Sequence, residues 1–251
     1  GDNRYANSVL ALRAQTGELV WHYQTIHHDI WDWDLPTHPL LVDVTTESGK
    51  SPIVIALGKT GMVYTFHRDT GEPYFDIEER EVPTDGILGD QLSPTQPFPV
   101  KPPPLVRQGI SPDDAWGVTP YEREACREMI ASARYGGMFT PMSTKGTIMY
   151  PQVGGGANWG GGAFDPERNI LIVPVAQVPF YVKLIPEENV DKDLAKTPMA
   201  GNPMGPPGLI KGTKYGLQQK PLLSPLYTPC TEPPWSMLVA VDMIEGEIVW
   251  K

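Results

Sequence analysis

One pattern constrains the fold of this chain more than any other. Leu10-Ala-Leu12 runs into Thr16-Gly17, and Trp21 follows four residues after the Gly. Tyr64-Thr-Phe66 runs into Thr70-Gly71, with Phe75 at the same offset, and Val239-Ala-Val241 runs into Glu245-Gly246, with Trp250 there. Each time, alternating apolar residues precede a Gly turn and a large aromatic follows it. That is a β-hairpin: Gly supplies the positive φ and the aromatic lands on the returning strand. Ala163-Phe-Asp165-Pro166 with Asn169 and the run Ile170–Val173 is a fourth relative, turning on Asp-Pro and Asn instead. The first two copies lie 54 residues apart. Units of roughly 40–50 residues with four strands each are the blades of a β-propeller. Three or four such units are visible. A β-sandwich with several hairpins is the competing architecture.

Composition narrows the choice. The chain holds 25 Gly and 28 Pro in 251 residues, well above the usual share of about 12% for the two together. Long helices and coiled coils do not carry so many breakers. Seven Trp, ten Tyr and six Phe exclude wholesale disorder. The class is therefore all-β and turn-rich. Thirty acids against twenty Lys and Arg give a net charge of −10. Nucleic acid and anionic membrane surfaces attract the opposite sign. No run approaches 18 apolar residues, so no segment reads as a membrane span. The most apolar run, Ile170 to Val182, reads as one buried strand, and acid-rich residues 69–90 as a solvated face or loop. The chain starts at Gly1 without a Met and stops just after a strand-like run, the expected look of an internal piece of a longer protein.

Two segments interrupt the repeat. Pro83 to Pro112 holds eight prolines, and Leu194 to Pro234 is similar; both read as extended surface loops that wall one end of a central funnel. The corresponding insertions span about 76–145 and 187–235 of a single domain that occupies 1–251. Pro120 to Arg134 is the one convincing helix, with Thr119 as its cap and Pro120 at its first position. Cys126 and Cys230 fall in the insertions without zinc-ligand spacing, and whether they pair is open.

Three short stretches carry possible chemistry. His27-His28-Asp29-Ile30-Trp31-Asp32-Trp33-Asp34-Leu35-Pro36 is too dense in polar and aromatic residues for an ordinary strand. Its plain reading is a polar turn with Trp31 and Trp33 docked into blades. Adjacent His side chains point apart on a strand, which disfavours a His-based metal site. Gly58-Lys59-Thr60-Gly61 follows the apolar strand Ile53–Leu57, and its Lys is either solvated or aimed into a site. The earlier Gly of a phosphate-binding loop is absent. Gly154 to Gly162 sets six glycines around Asn158-Trp159, a density that lets backbone approach a flat ligand or forms a flexible loop.

Together these residues resemble the pyrroloquinoline-quinone (PQQ)-dependent dehydrogenases, which are eight-bladed propellers with tryptophan-docking hairpins. The resemblance runs from Gly1 to Lys251 and rests on His28–Asp32, Asp34-Leu35-Pro36, Lys59-Thr60-Gly61 and Asn158-Trp159-Gly160. Ser93–Phe98, Ala115-Trp-Gly117, Phe139-Thr-Pro141, Lys183–Pro186 and Leu223-Ser-Pro225 are similar to the membrane-bound glucose/quinate/shikimate branch. The resemblance implies Asp32 as catalytic base and a contact of the calcium (or magnesium) ion. It implies Lys59 on the reactive quinone carbonyls, and Asn158 and Trp159 lining the quinone. It also implies a sugar or cyclic polyol as substrate, ubiquinone as electron acceptor, and a place on the periplasmic side of the bacterial inner membrane, anchored outside this chain. The chemistry is coherent: a carboxylate takes the hydroxyl proton while a fixed cation steadies charge growing on the acceptor. A non-catalytic propeller scaffold of outer-membrane assembly needs the hairpins but not Asp32, Lys59 and Asn158-Trp159 at once. A soluble PQQ alcohol dehydrogenase typically carries a cytochrome, and no Cys-x-x-Cys-His occurs here.

Overall fold

The computed structural model describes residues 3–86, 89 and 91–251. Gly1 and Asp2 of the family resemblance, and residues 87, 88 and 90 of the first insertion and acidic stretch, lie outside the described residues.

The first and third Gly-turn hairpins are built as read; the second closes after Phe66 on a single bridge to Pro73, so Phe75 stands in a bend and not on a returning strand. Strands β1 (Ser8–Leu12) and β2 (Leu19–Gln24) form an antiparallel hairpin over Gly17, whose φ is +75°. β3 (Leu40–Thr46), β4 (Gly49–Leu57) and β5 (Val63–His67) make a three-stranded antiparallel sheet. Ile53 to Leu57 of β4 are all at most 3% exposed, because both faces of that sheet are covered. Ile53, Ile55 and Leu57 pack toward Leu171, Val173, Val239 and Val241. Val54, Ala56, Tyr64 and Phe66 pack on the opposite side with Val9 and Ile26. A strand buried on both faces reads as a continuous apolar run, and each such side chain contributes roughly 1.5–3 kcal/mol by leaving water.

β6 (Ile77–Glu81) pairs with β7 (Thr95–Pro99), so the acidic stretch contains a strand, and the first Pro-rich segment is not extended loop throughout. Helix α1 (Pro120–Ser132) starts where expected: Thr119 Oγ1 accepts the Glu122 N–H, and the Glu122 carboxylate accepts the Thr119 N–H. It ends before Arg134, which instead forms an ion pair with Asp85.

After α1 come β8 (Thr147–Met149), β9 (Ala163–Asp165), β10 (Ile170–Ala176), β11 (Phe180–Pro186), β12 (Gly208–Leu209), β13 (Tyr215–Pro221), β14 (Ser236–Asp242) and β15 (Glu247–Trp250). Two four-stranded sheets result, in the orders β15-β14-β10-β9 and β12-β13-β11-β8. The apolar run Ile170–Val182 is thus not one strand. Its two halves, β10 and β11, belong to different sheets. The second Pro-rich segment likewise contributes β12 and β13, which short local propensity does not announce.

The sheets β1-β2, β3-β4-β5 and β15-β14-β10-β9 stack face to face, and the repeat aromatics bridge them. The Trp21 indole N–H donates to the Arg68 carbonyl at 2.9 Å. Its ring lies over Gly71, where a Cβ would fall 2.6 Å from it. Phe75 sits in the same way on Gly246, 3.0 Å from where a Cβ would be. The third aromatic, Trp250, is 46% exposed.

Cys126 and Cys230 form a disulfide, with Cα atoms 5.3 Å apart and both side chains fully buried. Beside it, Ser224 and Thr228 hydroxyls donate to the buried Glu122 carboxylate at 2.6 and 2.9 Å. These bonds tie α1 of the first insertion to the end of the second. Among the described residues, no helix is long and apolar enough to cross a membrane.

Candidate active site

The His27–Pro36 segment is organised by Asp29. Its carboxylate accepts the Trp31 and Trp33 backbone N–H groups at 2.7 Å each and the Asn7 amide at 2.8 Å. Burial pushes the Asp29 carboxyl above its ordinary range against the pull of these bonds. Trp31 and Trp33 are buried, as the plain reading expected; the Trp31 indole donates to the Thr140 carbonyl at 2.9 Å and meets Phe139 edge-on. Between them Asp32 takes φ +68°, a left-handed conformation uncommon for a residue with a Cβ. Its carboxylate faces outward, with the side chain 66% exposed. His27 is held by Gln24 and Glu79 through its two ring nitrogens. Among the described residues, no cluster of three His, Cys, Asp or Glu is arranged to hold a metal.

Strand β4 delivers the second component. Gly58 to Gly61 is a tight turn closed by the Gly61 N–H on the Gly58 carbonyl. The Lys59 N–H donates to the Asp34 carbonyl, which fixes the turn against the Asp29 segment. The Lys59 side chain is aimed inward at 11% exposure, its ammonium 2.8 Å from Asp32 Oδ2 and 2.5 Å from Asp34 Oδ1. Burial alone would lower the Lys59 pKa, but the hydrogen bonds and charges of Asp32 and Asp34 outweigh it and hold the ammonium protonated above its usual range. Asp32 is raised: desolvation and the neighbouring Asp34 carboxylate outweigh the attraction of Lys59.

The glycine stretch is the third component, and two of its glycines let the loop lie directly on the Lys59 turn. The Gly156 N–H donates to the Lys59 carbonyl at 2.6 Å. A Cβ on Gly155 would fall 2.8 Å from Lys59 Cα, and one on Gly156 would fall 2.6 Å from Gly61 Cα. Both are therefore needed for backbone to lie against the Lys59 turn. Asn158 closes its own loop, donating to the Gly154 carbonyl at 2.6 Å and accepting the Trp159 N–H at 2.8 Å. Trp159 projects into solvent at 85% exposure. A cleft of about 530 Å³ runs past Asn158 between Gly154, Gly160, Pro174 and Met237.

Asp32 and Lys59 are thus in direct contact, and the Asn158 loop packs on the Lys59 turn. Sequence reasoning gave no role to Asp34 or Asp29. Asp34 carried a signal: Asp-x-Asp spacing puts two carboxylates on one side of an extended backbone. An exposed carboxylate joined to a buried ammonium is equipped to accept a proton while the cation faces charge forming nearby.

The sequence family described as "Glucose/ethanol/alcohol dehydrogenase, beta-propeller domain" matches residues 1–251. Over 266 residues the chain is 39% identical to the quinoprotein glucose dehydrogenase of Escherichia coli, covering 99% of this chain and 31% of that protein. Over 258 residues it is 34% identical to the quinate/shikimate dehydrogenase (quinone) of Acinetobacter baylyi, covering 100% and 31%. Among solved structures, the quinohemoprotein alcohol dehydrogenase of Comamonas testosteroni aligns with a TM-score of 0.54 at 18% identity, covering 100% of this chain and 29% of that one. A europium-containing methanol dehydrogenase aligns equally well, with 33% of that chain covered. At such identity these structures speak for the fold alone. The chain spans about a third of the length of the curated relatives it matches.

Proposed function

The chain belongs to the glucose/ethanol/alcohol dehydrogenase β-propeller family, and on that premise we propose that it carries the proton-accepting corner of a PQQ-dependent dehydrogenase acting on a sugar or cyclic polyol. The observation that carries the reading is the contact of outward-facing Asp32 with the buried ammonium of Lys59 at 2.8 Å.

PQQ is a flat polyanion, and the residues present suit it. Lys59 has three N–H donors; Asp32 Oδ2 accepts one, and Asp34 lies against the ammonium as an ion pair. Trp159 offers an uncovered ring face one residue from Asn158. When bound, the quinone supplies the two-electron acceptor. Asp32 takes the substrate hydroxyl proton, at Oδ2 or Oδ1, once its bond to Lys59 loosens. Asp34 keeps Lys59 in place meanwhile, and the ammonium would hold the quinone and steady the charge it gains. The described residues build no metal centre of their own. Asp32 is one contact for a calcium or magnesium ion completed beyond this chain, and no step is assigned to the ion.

In this reading residues 1–251 belong to one eight-bladed domain with insertions at about 76–145 and 187–235. The Trp21–Gly71 and Phe75–Gly246 contacts are its tryptophan-docking device. Electrons pass to ubiquinone, and the domain stands on the periplasmic side of the inner membrane, anchored outside this chain. The Cys126–Cys230 disulfide supports an oxidising compartment.

The test uses the intact enzyme reconstituted with PQQ and a divalent cation. Glucose, quinate, shikimate and glycerol are offered with a dye acceptor. Quinone-dependent oxidation of at least one is expected. Failure on every polyol would overturn the reading.

A further inference from the structure

We propose that Asp29 is a positioning residue that forces Asp32 into its working geometry; this rests on the reading of Asp32 as the proton acceptor. The Asp29 side chain straddles Asp32. One carboxylate oxygen takes the Trp31 N–H and the other takes the Trp33 N–H. Both flanking peptides are thereby turned to the same inner side. The residue between them is left with a left-handed backbone, and its side chain is thrown outward toward Lys59. Asp tolerates a left-handed backbone better than most residues with a Cβ but does not prefer it, and a φ of +68° persists where the surroundings over-determine it.

Here the surroundings do so from three directions. Trp31 is pinned through its indole N–H to the Thr140 carbonyl, and Trp33 is fully buried. The Asn7 amide bonds the same Asp29 oxygen that holds Trp33, which fixes the carboxylate itself to the segment before β1. Asp29 touches neither Lys59 nor Asp32's carboxylate in any hydrogen bond described, so it acts through the backbone of Asp32 and not on the reacting atoms. A single amide in its place keeps the shape but leaves only one acceptor oxygen for the three N–H donors of Trp31, Trp33 and Asn7.

The experiment compares wild-type intact holoenzyme with Asp29→Asn. Three readouts are taken: kcat and KM for the best substrate, PQQ affinity by equilibrium dialysis, and hydrogen–deuterium exchange of the peptide covering residues 30–35. The expected result is a loss in kcat of at least tenfold, with KM and PQQ affinity within threefold of wild type. Exchange is expected to be at least tenfold faster in residues 30–35 alone. An unchanged kcat overturns the proposal, and so does a loss of PQQ affinity in step with kcat, which is the mark of a site that has simply unfolded. Where Asp29→Asn does not accumulate as folded protein, Asn7→Ala removes only the outer hydrogen bond. It is expected to lower kcat about threefold at constant KM, and a wild-type kcat there is equally fatal. If Asp32→Asn retains turnover, the proton-acceptor reading fails instead, and the exchange result still decides whether Asp29 holds the segment.

Discussion

At the scale of single residues, the Asp32–Lys59 contact makes two separable demands. Asp32→Asn keeps the shape and removes the proton acceptor. In the intact enzyme it is expected to cost more than tenfold in kcat while PQQ binding, followed by dialysis, stays largely intact. Lys59→Ala removes the cation and leaves Asp32 and Asp34 facing each other without it. Loss of turnover with an altered absorption spectrum of bound PQQ is expected, and an unaltered spectrum would place the ammonium away from the quinone. Away from this site, Glu122 titrates in a predictable direction. Hydrogen bonds from Ser224, Thr228 and Thr119 hold its carboxyl below the ordinary Glu range. A folded-state pKa below the unfolded one stabilises the protein above the unfolded value and withdraws that support as pH falls through the folded one. Glu122→Gln is therefore expected to flatten the acid limb of a plot of unfolding midpoint against pH; an unchanged limb would contradict it. Asp32 and Lys59 were legible because residue type and local turn coincide with a family resemblance. Asp34 had only its Asp-x-Asp spacing to point to it, its ammonium partner lying 25 residues away, and Asp29 had nothing, because what defines it is two backbone N–H groups of a nonrepetitive loop.

At the scale of elements, the hairpins were the most legible feature, since their turn chemistry is local. Gly17, Gly71 and Gly246 all have φ between +67° and +76°. Gly71 carries a second constraint, the Trp21 ring above it. Gly71→Ala is expected to destabilise by about 1–3 kcal/mol from the backbone conformation and the clash together. Urea unfolding of wild type and variant measures this, and equal midpoints would show that the ring has room to shift. The strands that escaped sequence reading tell the converse. β13 pairs along its whole length with β11, from Tyr215 opposite Pro186 to Pro221 opposite Phe180. Gly, Gln and Lys in β13 have weak strand preference, so the partner, not the sequence of the strand, makes it a strand. The glycines at 155 and 156 show a related point: high glycine density announces close backbone approach, but the approach to the Lys59 turn is made by a contact distant in sequence.

At the scale of the whole molecule, the two Pro-rich segments are bonded to each other. The Cys126–Cys230 bond closes a separation of 104 residues, and Glu122 holds the same junction. Replacing both cysteines by Ser is expected to remove about 2–5 kcal/mol of stability, seen as a lower unfolding midpoint in nonreducing conditions. A midpoint equal to that of wild type would mean the insertions hold together without the bond. The most exposed large hydrophobic side chain among the described residues is Trp159. Trp31 and Trp33 are sealed in the interior, and Trp21, Trp116 and Trp235 are partly covered. Trp159 at 85% and Trp250 at 46% exposure stand in water, at opposite ends of the β9–β15 stretch of chain. Among the tryptophans of this chain, collisional quenching by acrylamide therefore samples mainly these two, and comparison with a Trp159→Phe protein isolates the contribution of Trp159. The candidate site thus carries its own optical gauge: whatever settles against the Asn158 loop shields a fluorophore, and occupancy becomes readable without any turnover.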